Sequence, residues 1–262
     1  MLASQVCYFR LSETPQDSLG PEALAHEVLL SHGARVSAVI GYEPFDPVLD
    51  RSVMLATAVP GSSLDDDMPI DPVPVLFAAG ADLARINRIP VQGFGWIRRD
   101  DPLPTRLTAP YPTWDAFAAS LTAYSLDPWF DPAVQSRIAE LAGIRPIDPE
   151  RAVLAHGDFD TSHIFSLNGS YTGTIDFGEI RGAEPTFDLG HLALHAPDAL
   201  PLVLQGYASV TALPADIDRQ IAASAIRIGW FRLTQSSGRT NPPYAAVLVD
   251  GMTRICRAVP SL

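Results

Sequence analysis

Four residues between positions 156 and 176 are of the types that handle a metal and a phosphate: His156, Asp158, His163 and Asp176. The first three share one short loop, HGDFDTSH, and the fourth follows in TIDFGE. Between them the sequence predicts a β-hairpin. Phe165 to Leu167 is apolar enough for a short strand, Asn168-Gly169 is a two-residue turn signal, and Tyr171 to Ile175 is a second strand rich in β-branched residues. A tight hairpin returns its flanks to one place. Asp158 and Asp176 are therefore expected to face each other across a small gap, a layout suited to a divalent metal and a phosphate chain.

The elements that must position this loop read as follows. Gln5 to Leu11 is a strand, and Pro21 to His32 is a helix opened by Pro21 and closed by Gly33. Val36 to Tyr42 and Ser52 to Val59 are strands, with a turn-rich loop over Glu43 to Arg51. Pro72 to Ile89 is a helix with Val75, Leu76, Ala79, Leu83 and Ile86 at core spacing. Gly93-Phe94-Gly95-Trp96 lacks the repeated glycine spacing of a phosphate loop and reads as a structural loop. Trp114 to Leu126, Pro132 to Leu141, Ala199 to Val210, Ile217 to Gln235 and Tyr244 to Arg257 are helical. Trp230 and Phe231 sit at core spacing and read as packing.

The chain has 262 residues, 47% of them hydrophobic, enough for a large core in one or two lobes. Its net charge of −12 disfavours nucleic acid and anionic membrane as partners and is compatible with a cationic small molecule. Glu179 and Glu184 are candidates to meet such a cation, with a solvated-loop role as the plainer reading. All 18 basic side chains are Arg. A Walker-type phosphate loop needs its Lys, so that class of ATP site is excluded. Cys7 and Cys256 are too few for a disulfide framework or a Cys-rich metal site, and Cys7, in an apolar run, reads as a small core residue. No secretory leader and no bilayer-spanning stretch is evident, so a soluble, cytoplasmic protein is expected. The oligomeric state is left open.

A lone His-x-Asp or Asp-Phe-Gly is a weak signal, but the two in this order around one hairpin are not. Protein kinases pair H-R-D-x-x-x-x-N with D-F-G. Here His156-Gly157-Asp158 is followed by His163 at the Asn position, then by Asp176-Phe177-Gly178 and the run GAEPTFDLG. From Leu154 to Leu192 the chain resembles the aminoglycoside phosphotransferase family, small-molecule kinases with a protein-kinase-like fold. That family's signature is roughly H-G-D-x-x-x-x-N, a strand ending in I-D-W or I-D-F, and a G-D-P-x-x-D-L-type run.

The resemblance implies an α+β, two-lobed fold. Residues 1–62 would form a shortened, β-rich, nucleotide-binding lobe and residues 63–262 a mostly helical lobe with the catalytic loop and substrate site. It implies ATP and Mg2+ as cofactors and transfer of the γ-phosphoryl group to a hydroxyl of a small molecule. Asp158 is the candidate base, since an ionised carboxylate can only accept. Asp176 is the candidate principal metal ligand, since hard magnesium prefers carboxylate oxygen. His163 stands where the family places a second metal ligand. Imidazole suits manganese or zinc better, so a weak or altered second site is expected, with Ser162 or Asp160 as substitutes. His156 is read as bracing the loop, with a catalytic role as general base kept open. Asp188 is expected to accept hydrogen bonds from loop backbone donors. Arg10 falls where the family sets a basic residue against the nucleotide phosphates, Glu27 where a glutamate pairs with that base, and Thr57 and Val59 where backbone groups meet adenine. A lobe of this kind ordinarily opens with two strands and a phosphate-covering loop. This chain opens at what reads as the third strand, from a start set too far downstream or a reduced lobe, which predicts an unpaired sheet edge and low turnover.

Two other classes compete. One is a nucleotide-binding remnant without catalysis, favoured by His163 and the short lobe. The other is a metal-dependent hydrolase built on His156, Asp158, His163 and Asp176.

Overall fold

A computed structural model describes residues 6–122, 125–127, 129–235 and 242–260. Near the N-terminus, Cys7–Leu11 (β1), Val39–Asp46 (β2) and Arg51–Thr57 (β3) form an antiparallel sheet in the order β1-β3-β2. The central strand carries the burial: Ser52, Met54 and Ala56 alternate inward while their neighbours are half-buried. The outer strands are largely exposed, and this corrects the reading of Cys7. It lies on an edge strand and is exposed. Residue Gln5 of the expected first strand lies outside the described residues. The second strand runs further than expected, because register shifts after Val39 and after Glu43 take up Ile40 and the Pro44-Phe45 pair, and a proline is tolerated on an edge. The helix Gly20–Ser31 (α1) packs on β2, with Pro21 in its first turn.

The rest of the chain is mostly helical: Val73–Ile86 (α2), Trp114–Leu121 (α3), Pro132–Ala142 (α4), Phe187–His195 (α5), Leu200–Ala208 (α6), Ile217–Gln235 (α7) and Pro242–Ala258 (α8). The expected helix from Trp114 to Leu126 stops at Leu121, and residues 123 and 124 lie outside the described residues. Two small antiparallel sheets are set among these helices. One joins Ser62–Ser63 (β4), Ile164–Leu167 (β7) and Ser170–Thr174 (β8). The other joins Gly95–Trp96 (β5), Val153–Ala155 (β6) and Arg181–Ala183 (β9) in the order β5-β9-β6. Gly95-Trp96 is thus a strand, not only a loop. Helix α7 packs against α3, α4, α5 and α8, and α2 packs against α6. The core runs through Leu83, Leu154, Phe159, Phe177, Leu189 and Ile226, all fully buried. Each such side chain contributes about 1.5–3 kcal/mol by leaving water, and together they fix the floor on which the loop at 156–163 rests.

Candidate active site

The predicted hairpin is present as β7 and β8, with Ile164 opposite Thr174 and Leu167 opposite Ser170. Asn168 (φ 53) and Gly169 (φ 73) form its turn, both left-handed as a two-residue hairpin of this type requires. The loop at 156–163 enters this hairpin and residues 175–179 leave it.

Two anchors hold the loop. Asp188, fully buried in the first turn of α5, accepts from His156 N (2.9 Å), Gly157 N (2.8 Å) and Asn87 Nδ2 (3.2 Å). Asn87 Nδ2 also donates to Leu154 O at 2.9 Å. The second anchor is His156. Its Nε2–H donates to Ile175 O at 2.7 Å and its Nδ1 accepts from Asp158 N at 3.3 Å. Burial pushes its pKa down, which keeps the ring neutral. With both nitrogens engaged and no exposed surface, His156 ties the loop to the far end of the hairpin. The general-base reading of this residue does not hold, nor does a metal cluster that counts it as a ligand. Between the anchors Gly157 adopts φ 91, and a Cβ there would lie 2.0 Å from Glu179 O. Only glycine permits that approach.

His163 joins the two aspartate-bearing loops. Its Nδ1–H donates to Asp158 O at 2.7 Å, and its Nε2 stands 4.0 Å from Asp176 Oδ2. Asp176 is 54% exposed and takes a left-handed backbone (φ 59), a conformation that costs a non-glycine residue about 1–2 kcal/mol. Its Oδ1 accepts from Arg10 Nη1 (3.2 Å) and Gly178 N (3.3 Å). His163 Nε2 and an Asp176 oxygen could take a cation between them. Among the described residues no group of three or more His, Cys, Asp or Glu side chains converges to hold a metal. Phosphate oxygens and water would have to complete the shell, as is usual for magnesium. Of the proposed substitutes for His163, Asp160 accepts from Ser162 N (2.9 Å) and from its hydroxyl, so each already serves the other.

Arg10 also pairs with a glutamate, but it is Glu22 at 2.8 Å, not Glu27. The two lie five positions apart, about 140° around a helix. Glu22 in the first turn of α1 faces the sheet and is buried, and Glu27 points outward and is exposed. Burial pushes the Glu22 carboxyl up to about 7, with Arg10 and Arg99 pulling the other way. Arg99 Nη1 lies 3.9 Å from Glu22 and its Nη2 donates to Gly178 O at 2.5 Å. Thr57 ends β3, and Val59 is buried in the link to β4.

Two groups that the sequence did not point to converge on Asp158. Arg232, on α7, donates through Nη2 to Asp158 Oδ1 at 2.7 Å and through Nη1 to Tyr244 OH at 3.2 Å. His191, on α5, donates from Nδ1 to Phe159 O at 3.1 Å and places Nε2 2.9 Å from the same Oδ1, a close polar contact off hydrogen-bond alignment. Burial opposes ionisation of Asp158, but His191 and Arg232 outweigh it and hold the carboxyl below the usual range. One signal was available: His191 follows Asp188 by three positions, on the same helix face. Nothing in the sequence marks Arg232.

The acidic residues proposed to greet a cation are occupied. Glu179 Oε2 accepts from Trp96 Nε1 and Arg181 Nη2, both at 2.9 Å. Glu184 is buried and pairs with Arg227 Nη2 at 2.6 Å and Ser224 Oγ at 2.9 Å. A cavity of about 180 Å³ adjoins Arg232, and two larger cavities of about 420 Å³ lie elsewhere, one beside Glu27 and Tyr42 and one beside Glu184 and Tyr207.

A model of the phosphotransferase enzyme family matches residues 7–219, which include every group above except Ser224, Arg227, Arg232 and Tyr244. The chain belongs to the phosphotransferase enzyme family. No curated protein sequence matches it. Solved structures place this phosphotransferase-family chain in the protein-kinase-like fold of the aminoglycoside phosphotransferases. A thermostable mutant of aminoglycoside phosphotransferase APH(4)-Ia, in ternary complex with ADP and hygromycin B, superposes with TM-score 0.72 at 18% identity, over 100% of this chain and 90% of that one. The macrolide 2'-phosphotransferase MphH from Brachybacterium faecium gives 0.61 at 17% identity, over 93% and 84%. The amicoumacin kinase hAmiN, in complex with AMP-PNP, Ca2+ and Ami, gives 0.59 at 16% identity, over 98% and 83%. The fold expected from the HGD and DFG segments is the fold found. Among the described residues no helix is long and apolar enough to cross a membrane.

Proposed function

We propose that this chain is an ATP-dependent O-phosphotransferase that moves the γ-phosphoryl group of Mg-ATP to a hydroxyl of a small molecule. The observation that carries the reading is the link through His163, whose two ring nitrogens address Asp158 O and Asp176 Oδ2 at the open end of one hairpin. Nucleotide lies between the lobe of residues 1–62 and the remainder, with adenine at the backbone of Thr57 and Val59. Arg10, poised between Glu22 and Asp176, meets the phosphates. Asp176 and His163 take the magnesium ion, which supplies charge neutralisation to the phosphates. Asp158, with Oδ1 held by Arg232 and lying close to His191, turns its other oxygen to the acceptor hydroxyl, aims it and takes its proton. A carboxylate held at low pKa is a weak base. That suffices where the transition state is loose and positioning does most of the work. The solved neighbours that hold ADP, or AMP-PNP with Ca2+, support the nucleotide part of this reading.

The test is ADP release from ATP against a panel of hydroxylated small molecules. Asp158→Asn should lower kcat by about 10²-fold or more with little change in nucleotide affinity. Turnover undiminished in that variant would contradict the assignment of the base.

A further inference from the structure

We infer that Arg99 is a positioning residue for the metal site: it clamps the residue that orients Asp176 and ties it to the start of α1. This rests on the phosphotransferase reading above, in which Asp176 takes the magnesium ion.

The sheet register brings Arg99 to this place. Strand β5 runs antiparallel to β9 with Gly95 opposite Gly182 and Trp96 opposite Arg181. The ladder continues beyond both strands, since Ile97 N donates to Ile180 O at 3.0 Å. Two residues further in the same register, Arg99 comes level with Gly178, and its Nη2 donates to Gly178 O at 2.5 Å. Gly178 N in turn donates to Asp176 Oδ1 at 3.3 Å. Gly178 is thus gripped at both ends, by Arg99 at its carbonyl and by the Asp176 carboxylate at its amide.

The grip has work to do. Asp176 has a left-handed backbone and a side chain more than half exposed, so packing alone does not fix its carboxylate. Its Oδ1 has two donors, Gly178 N and Arg10 Nη1, and both depend on Arg99. The first depends on it through the Gly178 carbonyl. The second does so through Glu22. Arg10 Nη1 is shared between Glu22 Oε1 at 2.8 Å and Asp176 Oδ1 at 3.2 Å, while Arg99 Nη1 stands 3.9 Å from the other Glu22 oxygen. Glu22 is buried, and a buried carboxylate with one cation fewer draws the remaining one harder. Loss of Arg99 would therefore pull Arg10 from Asp176 toward Glu22. The backbone of Arg99 completes the tie, since its O accepts from Ser18 N at 2.8 Å just ahead of α1. A guanidinium carries donors on separate nitrogens in a fixed fork and can address Gly178 O and Glu22 together, which a single ammonium cannot.

Two measurements on the full chain test this. Amide hydrogen exchange without metal or nucleotide should show residues 176–179 exchanging about tenfold faster in Arg99→Gln than in the native chain, with α7 unchanged. In titrations of AMP-PNP, the factor by which magnesium tightens binding should fall about tenfold in Arg99→Gln, and Arg99→Lys should keep part of it. Taking that factor cancels a general loss of affinity. Arg98→Gln, at an exposed neighbour 3.8 Å from Asp100, should match the native chain in both measurements. Unchanged exchange at 176–179, exchange raised evenly through the chain, or a magnesium effect as large in Arg99→Gln as in the native chain would each overturn the inference. AMP-PNP binding that ignores magnesium in the native chain would overturn the phosphotransferase reading and this inference with it, and is seen before any variant is compared.

Discussion

His163 has one ring nitrogen committed and one to offer. Because Nδ1 donates to Asp158 O, Nε2 carries the lone pair that looks toward Asp176. Imidazole favours later transition metals over magnesium. AMP-PNP should therefore bind more tightly with Mn2+ than with Mg2+, and His163→Asn should narrow that difference in calorimetric titrations. A preference for Mg2+ in the native chain, unmoved by the substitution, would contradict the ligand role proposed for this ring. At this scale the sequence was legible where chemistry and local spacing coincide. Asp158, Asp176 and Asp188 each sit within a recognisable short pattern. Glu22 was misread as Glu27 because the pattern places the glutamate on the helix without fixing which turn faces the strand. Arg232 and His191 reach Asp158 only through tertiary packing, Arg232 from 74 positions away.

Among the elements, the loop at 156–163 is held by fit as much as by hydrogen bonds. Gly157→Ala would force a side chain into φ 91 and to within 2.0 Å of Glu179 O, a backbone atom that cannot swing aside. The expected cost is about 2–3 kcal/mol or more, read as a lowered urea midpoint, together with loss of phosphotransfer. A variant as stable and active as the native chain would show that the loop does not need this approach. The hairpin was legible because Asn168-Gly169 is a strong local signal, and α7 because it is long. Helix α5 was not. Phe187 to Leu194 is buried on every side, so it lacks the one-sided apolar stripe that marks a helix from sequence. Strands β4, β5, β6 and β9 have two or three residues each, too few to show alternation.

For the whole molecule, buried titratable groups set the pH dependence of stability. Burial lowers His26 from 6.5 to about 4 and, with His191 adding to it, lowers His195 to about 4. Burial raises Glu22 from 4.5 to about 7. Between pH 4.5 and 6.5 the unfolded chain then binds more protons than the folded one at the two histidines and fewer at Glu22. Stability rises with pH where the unfolded state binds more protons, so the histidines outweigh the glutamate and stability should climb through this window. Above it only the Glu22 contribution remains, and stability should dip slightly toward neutrality. Glu22→Gln should steepen the climb and remove the dip, each group contributing up to about 3 kcal/mol. Urea unfolding across the window checks this, and a native chain that loses stability from pH 4.5 to 6.5 would contradict it.

The central claim is that the loops carrying Asp158 and Asp176, joined through His163, hold a metal-bound nucleotide for transfer. The most direct test is calorimetric titration of AMP-PNP into the full chain with and without magnesium, repeated on Asp176→Ala. The account predicts magnesium-dependent binding in the native chain and loss of that dependence in the variant, with the fold intact by circular dichroism. Nucleotide binding that is absent, or that responds to magnesium equally in both proteins, would contradict it.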